Sequence, residues 1–495
     1  MSKKIVGVVA LAGLCALSLF LVNCGSSGSR PAGVLYVLAE GTTDQGTPGI
    51  GFNVSSYGID LNNGGLSLIN SDASTCPAAS AANPEPCGTP LDILLDPAGA
   101  TAFVLNQGIP CILQPPNSQC EPTDSPAVAP SIYPYRVNSD GSLLPPGSPV
   151  SWTCTNVPAP CPNPQAGTGY DTAVAMTRDA AGQFLFVIDY GVSPSPTDCP
   201  PAHATDQSNP IYLGCPSIMA FAIQSTTLTP VSGTPLYLNK IPSALSTITF
   251  TLPGSSTPEE FLFVTNNQDI CVGPSCIPPN NDNTVSAYVV DPTLTLCPGL
   301  LLCEQTNSPY TIAASNPISV LAVNTNQLGE GSIGGVFVYV GNQGAVSGAV
   351  NPFQLCTVQN ANCSQSDISN SLLVPVNCAP SQSCAASAGE SPVAMVADPT
   401  NNFLYVVSNG LNQVFAYGIN TLLGTLTTLG TQPSQGLQPV SIALHPSGDN
   451  TGQYLFVSNS GSQSVAGFTL STTAGTMSNP IAITSPPAPS GVAVH

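Results

Sequence analysis

The chain has 495 residues, 42% of them hydrophobic and only 6% charged, with 45 Gly and 51 Pro. Regularly spaced Val, Phe, Tyr and Leu runs between Pro/Gly turns are an all-β signature and exclude a disordered Pro/Gly-rich chain. The formal net charge is −20, and beyond Lys3 and Lys4 the basic residues are Arg30, Arg136, Arg178 and Lys240 against 26 acidic ones, so nucleic acid is excluded as a partner. An anionic lipid surface is repelled as well, which leaves a covalent lipid anchor as the route to a membrane.

In chain order, Lys3 and Lys4 precede an apolar run over residues 5–22 and then Leu21-Val22-Asn23-Cys24-Gly25. The pattern resembles a lipoprotein signal peptide over residues 1–23, with Cys24 lipidated and 24–32 a flexible tether. Asn23 departs from the small residue usual there, and an ordinary signal peptide or an N-terminal membrane helix are the alternatives. Each of the three places the remaining domain, residues 33–495, outside the cytoplasm, in the bacterial cell envelope.

A strand-like unit then recurs seven times: residues 34–39 (VLYVLA), 102–106 (AFVLN), 184–189 (FLFVID), 261–266 (FLFVTN), 336–342 (VFVYVGN), 403–409 (FLYVVSN) and 454–459 (YLFVSN). Before most copies stands a strand such as 90–97 (PLDILLDP), 392–399 (PVAMVADP) or 439–446 (PVSIALHP). After them comes a third strand, at 132–137, 218–223, 284–290, 414–419 and 465–470, then a turn and a weaker fourth. Four strands repeated radially predict a β-propeller of seven antiparallel blades. Residues 489–495 (PSGVAVH) match a first strand with nothing after it, and the copy at 34 lacks one. The two termini are therefore expected to complete one blade together and close the ring, which removes exposed sheet edges.

The strands FLFVTNN, FLYVVSN and YLFVSNS, with SPVAMVADPTNNFLYVVSN (391–409) as the best copy, resemble the lactonase-type seven-bladed propellers and their YVTN-repeat relatives. The resemblance implies blade construction and, as an activity, lactonase-like hydrolysis of the 6-phosphogluconolactonase kind. No functional residue of that family matches here by motif, and so few basic residues argue against a phosphorylated substrate.

Setting aside Cys15 and Cys24, sixteen cysteines fall into eight close pairs, as expected in an oxidising compartment. These are Cys76 with Cys87, Cys111 with Cys120, Cys154 with Cys161, Cys199 with Cys215, Cys271 with Cys276, Cys297 with Cys303, Cys356 with Cys363, and Cys378 with Cys384. None has zinc-site spacing, so no metal is expected. Six pairs are expected on one face, in second-to-third loops and blade-to-blade links; Cys297 with Cys303 and Cys356 with Cys363 fall in third-to-fourth hairpins. A stapled loop face fits a binding or interaction module for a small molecule, glycan or protein, the first functional reading. The alternatives are the lactonase-like hydrolase and a structural envelope protein.

Asp92, Ala175, Ala244, Ser319, Ala394, Ser441 and Gly491 occupy one repeat position, expected to face the central channel. Asp92 is the lone carboxylate there and must be hydrated, paired or bound to a cation, which makes it the channel-site candidate. His445 and His495 hold the place of Asp96, Asp179 and Asp398, at a turn where a polar side chain binds backbone. His203 lies in a Pro-rich loop. Residues 60–65 (DLNNGG) and 138–141 (NSDG) read as hairpin turns, and Glu259-Glu260 as a solvated strand start. No nucleophile motif, Gly-rich phosphate loop or cofactor site is present.

Overall fold

The computed structural model describes residues 33–40, 52–74, 89–108, 129–152, 173–189, 216–238, 240–251, 258–269, 283–305, 307–312, 316–325, 335–344, 347–356, 373–376, 378, 384–445, 453–485 and 488–495. Outside them lie the expected leader, Cys24, the expected tether, His203 and Cys363. Both members of five expected cysteine pairs also lie outside the described residues: Cys76 with Cys87, Cys111 with Cys120, Cys154 with Cys161, Cys199 with Cys215, and Cys271 with Cys276.

Seven antiparallel sheets follow one another in sequence and form a seven-bladed propeller. From the axis outward, blade one is Pro489–Val494, Val34–Glu40, Phe52–Ile59 and Leu66–Ser74; blade two is Pro90–Leu95, Thr101–Asn106, Ser131–Arg136 and Val150–Ser151. Blades three to seven start on the innermost strands Ala173–Arg178, Lys240–Thr251, Pro317–Asn324, Pro392–Ala397 and Pro439–His445. Their second strands are Phe184–Asp189, Pro258–Asp269, Val336–Asn342, Phe403–Ser408 and Gln453–Asn459. In blades three, four and five the outermost position is shared by two short strands. The expected ring closure is present: Leu35 to Leu38 pair with Val494 to Gly491, and Val34 and His495 exchange backbone hydrogen bonds of 3.0 Å.

No blade has a core of its own. The buried apolar side chains form seven clusters, each drawn from two adjoining blades, so the hydrophobic stabilisation resides in seven seams arranged in a circle. One aromatic per blade marks the same register position on the second strand: Tyr36, Phe103, Phe186, Phe263, Tyr339, Tyr405 and Phe456, all fully buried. Where it is Tyr, its hydroxyl donates to a glycine carbonyl in the third-to-fourth hairpin of the next blade: Tyr36 to Gly141, Tyr339 to Gly424 and Tyr405 to Gly475, at 3.0–3.1 Å. The recurring aromatic is thus a wedge that joins consecutive blades.

Those hairpin glycines are required twice over. Gly424 and Gly475 sit at φ +70° and +65°, and a Cβ on either would stand 2.2 Å from the ring of Phe337 or Phe403 in the preceding blade. Residues 60–65 and 138–141 are the corresponding hairpin turns of blades one and two: Asp60 accepts from Asn62 and Asp140 from Ser142 within the turn.

Cys297–Cys303 closes the third-to-fourth hairpin of blade four. Cys378–Cys384 is also bonded, but its place corrects the expectation of a blade-to-blade link. It lies between Leu373–Pro375 and Ala386–Gly389, which both pair with the third strand Gly348–Leu355, so it belts a break in the outer edge of blade five. Cys356, next to that third strand, is likewise disulfide-bonded. Neither described pair lies on the face where the six staples were expected.

Removing residues 489–495 leaves Val34–Glu40 as a bare edge facing the axis and opens two seams; calorimetry is expected to show a collapse of the melting transition, together with aggregation. Gly424→Ala, which adds one methyl group against Phe337, is expected to cost about 2–4 kcal/mol by chemical denaturation.

Candidate functional site

Every innermost strand carries the same irregularity. One residue bulges, after the first residue of the strand in six blades and after Pro242 in blade four, and pairing resumes at Asp92, Ala175, Ala244, Ser319, Ala394, Ser441 and Gly491. The seven positions equated from the sequence are therefore equivalent in register. A bulge turns the local strand direction, and here it brings seven strand starts around one axis. These strands are paired on one side only, and they are less buried than their neighbours: Pro90–Leu95 and Ala173–Arg178 alternate buried and half-buried residues, whereas Thr101–Asn106 is buried throughout. Water reaches the axis.

The axis-facing strand edges present peptide groups that need partners. Side chains of adjacent blades supply many of them. Ser490, Ser243 and Ser319 donate to the carbonyls of Pro90, Pro317 and Pro392 at 2.6–2.9 Å, and Asn409 donates to that of Pro439 at 3.0 Å. In the other sense, the Ser246 hydroxyl accepts from Ala322 N–H and the Ser441 hydroxyl from Val492 N–H. These bridges are neutral.

Asp92 performs the same bridging with a carboxylate. Its Oδ1 accepts Ile93 N–H at 2.8 Å, and its Oδ2 accepts Met176 N–H of blade three at 3.4 Å. Rather than standing alone in open channel water, the side chain reaches across a seam, with part of its surface still wet. Burial pushes its pKa from 3.8 to about 7, and the two N–H donors offset only part of that rise. A group poised there exchanges a proton at neutral pH.

Further along the same seam lies a cluster that the sequence did not announce. Arg178 Nε donates to Leu95 O across the seam at 2.6 Å and its Nη1 to Asp179 O at 3.1 Å. Burial lowers the Arg178 pKa, while the charges of Asp179, Asp96 and Glu260 act against that fall. Glu260 corrects the expectation of a solvated strand start. Its carboxylate crosses from blade four to accept Ala180 N–H at 3.3 Å and also holds the Thr249 hydroxyl, and burial raises its pKa. Lys240 opens the long innermost strand of blade four, where its charge is felt by Glu304.

Asp96, Asp179 and Asp398 accept backbone N–H groups of their own turns, from Ala100 and Thr101, from Phe184, and from Asn402 and Phe403. His445 and His495 also reach beyond their own blades. The His495 Nε2 lies 3.2 Å from Ala98 O of blade two, and the His445 ring packs where a Cβ on Gly33 of blade one would stand 2.5 Å from Nε2. Both imidazoles fill gaps between blades. Also missed by sequence reading is the bond from Trp152 Nε1 to the buried Asp189 Oδ2 at 2.7 Å, between blades two and three. Its signal was present: Trp152 is the one Trp of the chain, and Asp189 stands where other blades carry Asn106, Asn266, Asn342 or Asn459. Among the described residues no group of three or more His, Cys, Asp or Glu is placed to hold a metal ion.

The family model of the lactonase seven-bladed β-propeller matches residues 356–494, from the third strand of blade five through blades six and seven to the closing strand. No curated protein matches the sequence. Among solved structures, the periplasmic gluconolactonase of Pseudomonas aeruginosa is similar at 15% identity and TM-score 0.53, covering 93% of this chain and 99% of that one. A Bacteroides fragilis protein provisionally assigned as a 6-phosphogluconolactonase is similar at 14% identity and TM-score 0.54, covering 96% and 100%. A Lactobacillus plantarum protein follows at 13% and 0.52, covering 94% and 99%. At such identities these structures establish the shared propeller fold; they transfer no site residue.

Asp92 titrates at 3.8 in an unfolded chain and at about 7 in the fold, so the fold disfavours its charged form. The Asp92 contribution to stability is most favourable below about pH 4, falls as the pH rises to about 7 and is flat above. Asp92→Ser, the side chain at positions 319 and 441, is expected to stabilise the protein by about 2–4 kcal/mol at pH 8 and negligibly at pH 4, read from denaturation curves at the two pH values.

Proposed function

We propose that this protein is an exported, lipid-anchored hydrolase of uncharged lactones, with Asp92 as the general base of the channel. The observation that carries the reading is the single carboxylate among seven equivalent positions, kept at a cost to stability and titrating at about 7. Charge that destabilises a fold where Ser, Ala or Gly serves in the other blades is the mark of a site under chemical demand. In this reading the Asp92 carboxylate takes a proton from a water molecule. The water oxygen adds to the lactone carbonyl, the ring C–O bond breaks as the ring oxygen takes that proton back from Asp92, and the new carboxylic acid loses its own proton to solvent, so that a hydroxy acid leaves as its anion.

Electrostatics support an uncharged substrate. Arg178 and Lys240 are the cations described on the innermost strands, and Arg178 is outnumbered by Asp96, Asp179 and Glu260. A phosphate would be repelled. A neutral lactone enters without that penalty, and the carboxylate formed from it is driven out. The structural likeness to a gluconolactonase and the family match over residues 356–494 support the same chemistry. Export is supported by the disulfides Cys297–Cys303 and Cys378–Cys384, by the bonded Cys356, and by the leader-like residues 1–23 with Cys24 as the lipidated position.

A second reading is a binding module without chemistry. It is favoured by the engagement of both Asp92 oxygens with backbone N–H groups, as a purely structural bridge would have them.

One experiment separates the two. Acid release from five- and six-membered sugar lactones, followed by pH-stat, is expected with the wild-type protein, with kcat/KM rising with pH through about 7. Asp92→Asn is expected to lower kcat by a factor of about 10²–10⁴. Phosphorylated lactones are expected to turn over more slowly than neutral ones. Absence of turnover, with lactone binding still detected by calorimetry, assigns the protein to the second reading.

A further inference from the structure

Three hydrogen bonds that use a charged side chain cross the single seam between blades two and three, spaced along it. Trp152 Nε1 meets Asp189 Oδ2 at 2.7 Å, Met176 N–H meets Asp92 Oδ2 at 3.4 Å, and Arg178 Nε meets Leu95 O at 2.6 Å. The two outer contacts are short and the middle one is long. The corresponding bridges elsewhere use hydroxyls and amides, such as Ser243 to Pro317 O, Ser319 to Pro392 O and Ser490 to Pro90 O. Met176 is two residues from Arg178 on the same innermost strand, so whatever pins Arg178 to Leu95 sets how closely the Met176 N–H approaches Asp92. A carboxylate oxygen held across the seam by one long hydrogen bond would otherwise swing into the water of the axis, where it would be better solvated.

We propose that Arg178 is the positioning residue for Asp92: by anchoring the end of blade three's innermost strand to Leu95 O, it keeps the seam closed over the carboxylate, while Trp152 and Asp189 close the seam's other end. The inference rests on the reading of Asp92 as the working group of the channel. Arg178 acts through the main chain. Its charge plays no part in the Asp92 titration, which is governed by burial and by the two N–H donors. The charged and titratable groups around this region are Asp96 just past Asp92's own strand, Arg178 and Asp179 on the facing side, Glu260 from blade four and His495 at the end of blade one's innermost strand. The carboxylates of Asp179, Asp96 and Glu260 are the charges that act on the guanidinium.

The sign of a pKa change separates positioning from electrostatics. If Arg178 merely supplied positive charge, its loss would raise the Asp92 pKa; if it keeps water out by closing the seam, its loss lowers it. The test is carbon-13 NMR titration of the full chain labelled at aspartate carboxyls, with the Asp92 resonance assigned by its absence in Asp92→Asn. Arg178→Met is expected to lower the Asp92 pKa from about 7 by about one unit or more. Arg178→Lys, which keeps a donor for Leu95 O, is expected to restore it. Thr247→Val, which removes the hydroxyl donated to Arg178 O across the neighbouring seam, is expected to leave it in place. An unchanged or raised value in Arg178→Met overturns the proposal. Should that variant fail to fold, Arg178→Gln reads the same direction at smaller size. The titration needs no turnover, so the two readings fail separately. A lowered pKa in a protein that hydrolyses no lactone retains the positioning role and removes the hydrolase; turnover that depends on Asp92 but a titration indifferent to Arg178 does the reverse.

Discussion

A four-stranded sheet with two apolar faces and no helix to cover either can be buried only between two others like it, and that requirement shapes everything in this molecule. Each blade lends one face to the seam before it and the other to the seam after it, so seven clusters of buried side chains alternate with seven sheets around the axis. An open arc would leave two apolar faces and a bare strand edge in water; closure removes both. The closing strand Pro489–Val494 is therefore a structural necessity more than an appendage, and the wedge aromatics Tyr36, Phe103, Phe186, Phe263, Tyr339, Tyr405 and Phe456 set how far apart neighbouring sheets stand.

Closing a ring of sheets creates a second constraint at its centre. The innermost strands have one edge paired within the blade and one facing the axis, where water enters and no further strand can add. Side-chain oxygens and amides from neighbouring blades fill that need, and most of them are neutral. The main exception is the seam between blades two and three, where Asp92, Arg178 and Asp189 place ionisable groups in a partly dry interface, with Glu260 adding one at the next seam. Buried charge weakens a fold unless it is well partnered, and the high pKa of Asp92 says that its partnering is incomplete.

The blades were readable from the chain because their determinants are local and repeated. A period-two apolar strand such as FLYVVSN, a Pro-led strand such as PVAMVADP and a glycine at the hairpin each encode their own conformation, and the unpaired 489–495 segment announced closure by what it lacked. The equivalence of Asp92 with Ala175, Ser319 and Ser441 was readable for the same reason. Other expectations failed where the deciding partner lies in another blade. His495 shares a turn position with Asp398 yet its Nε2 lies 3.2 Å from Ala98 O of blade two, because an imidazole extends further from that position than an aspartate side chain does. Glu260 begins a strand, as a solvated residue would, and ends against Ala180 N–H of the preceding blade. Cys378 and Cys384 are close in sequence, but only the pairing of both flanking strands with Gly348–Leu355 places their bond on an outer edge.

By itself the sequence determined the repeat, the blade number, the ring closure and an acidic chain nearly without cations, since each depends on residue type and spacing along one strand or turn. The tertiary structure alone decided what crosses the seams: which hydroxyl meets which proline carbonyl, that Trp152 meets Asp189, and that Arg178 pins the strand whose Met176 N–H reaches Asp92. Most of those contacts join residues about 70 or more positions apart through sheets whose relative placement is set by packing, so no pattern within a single repeat can carry them.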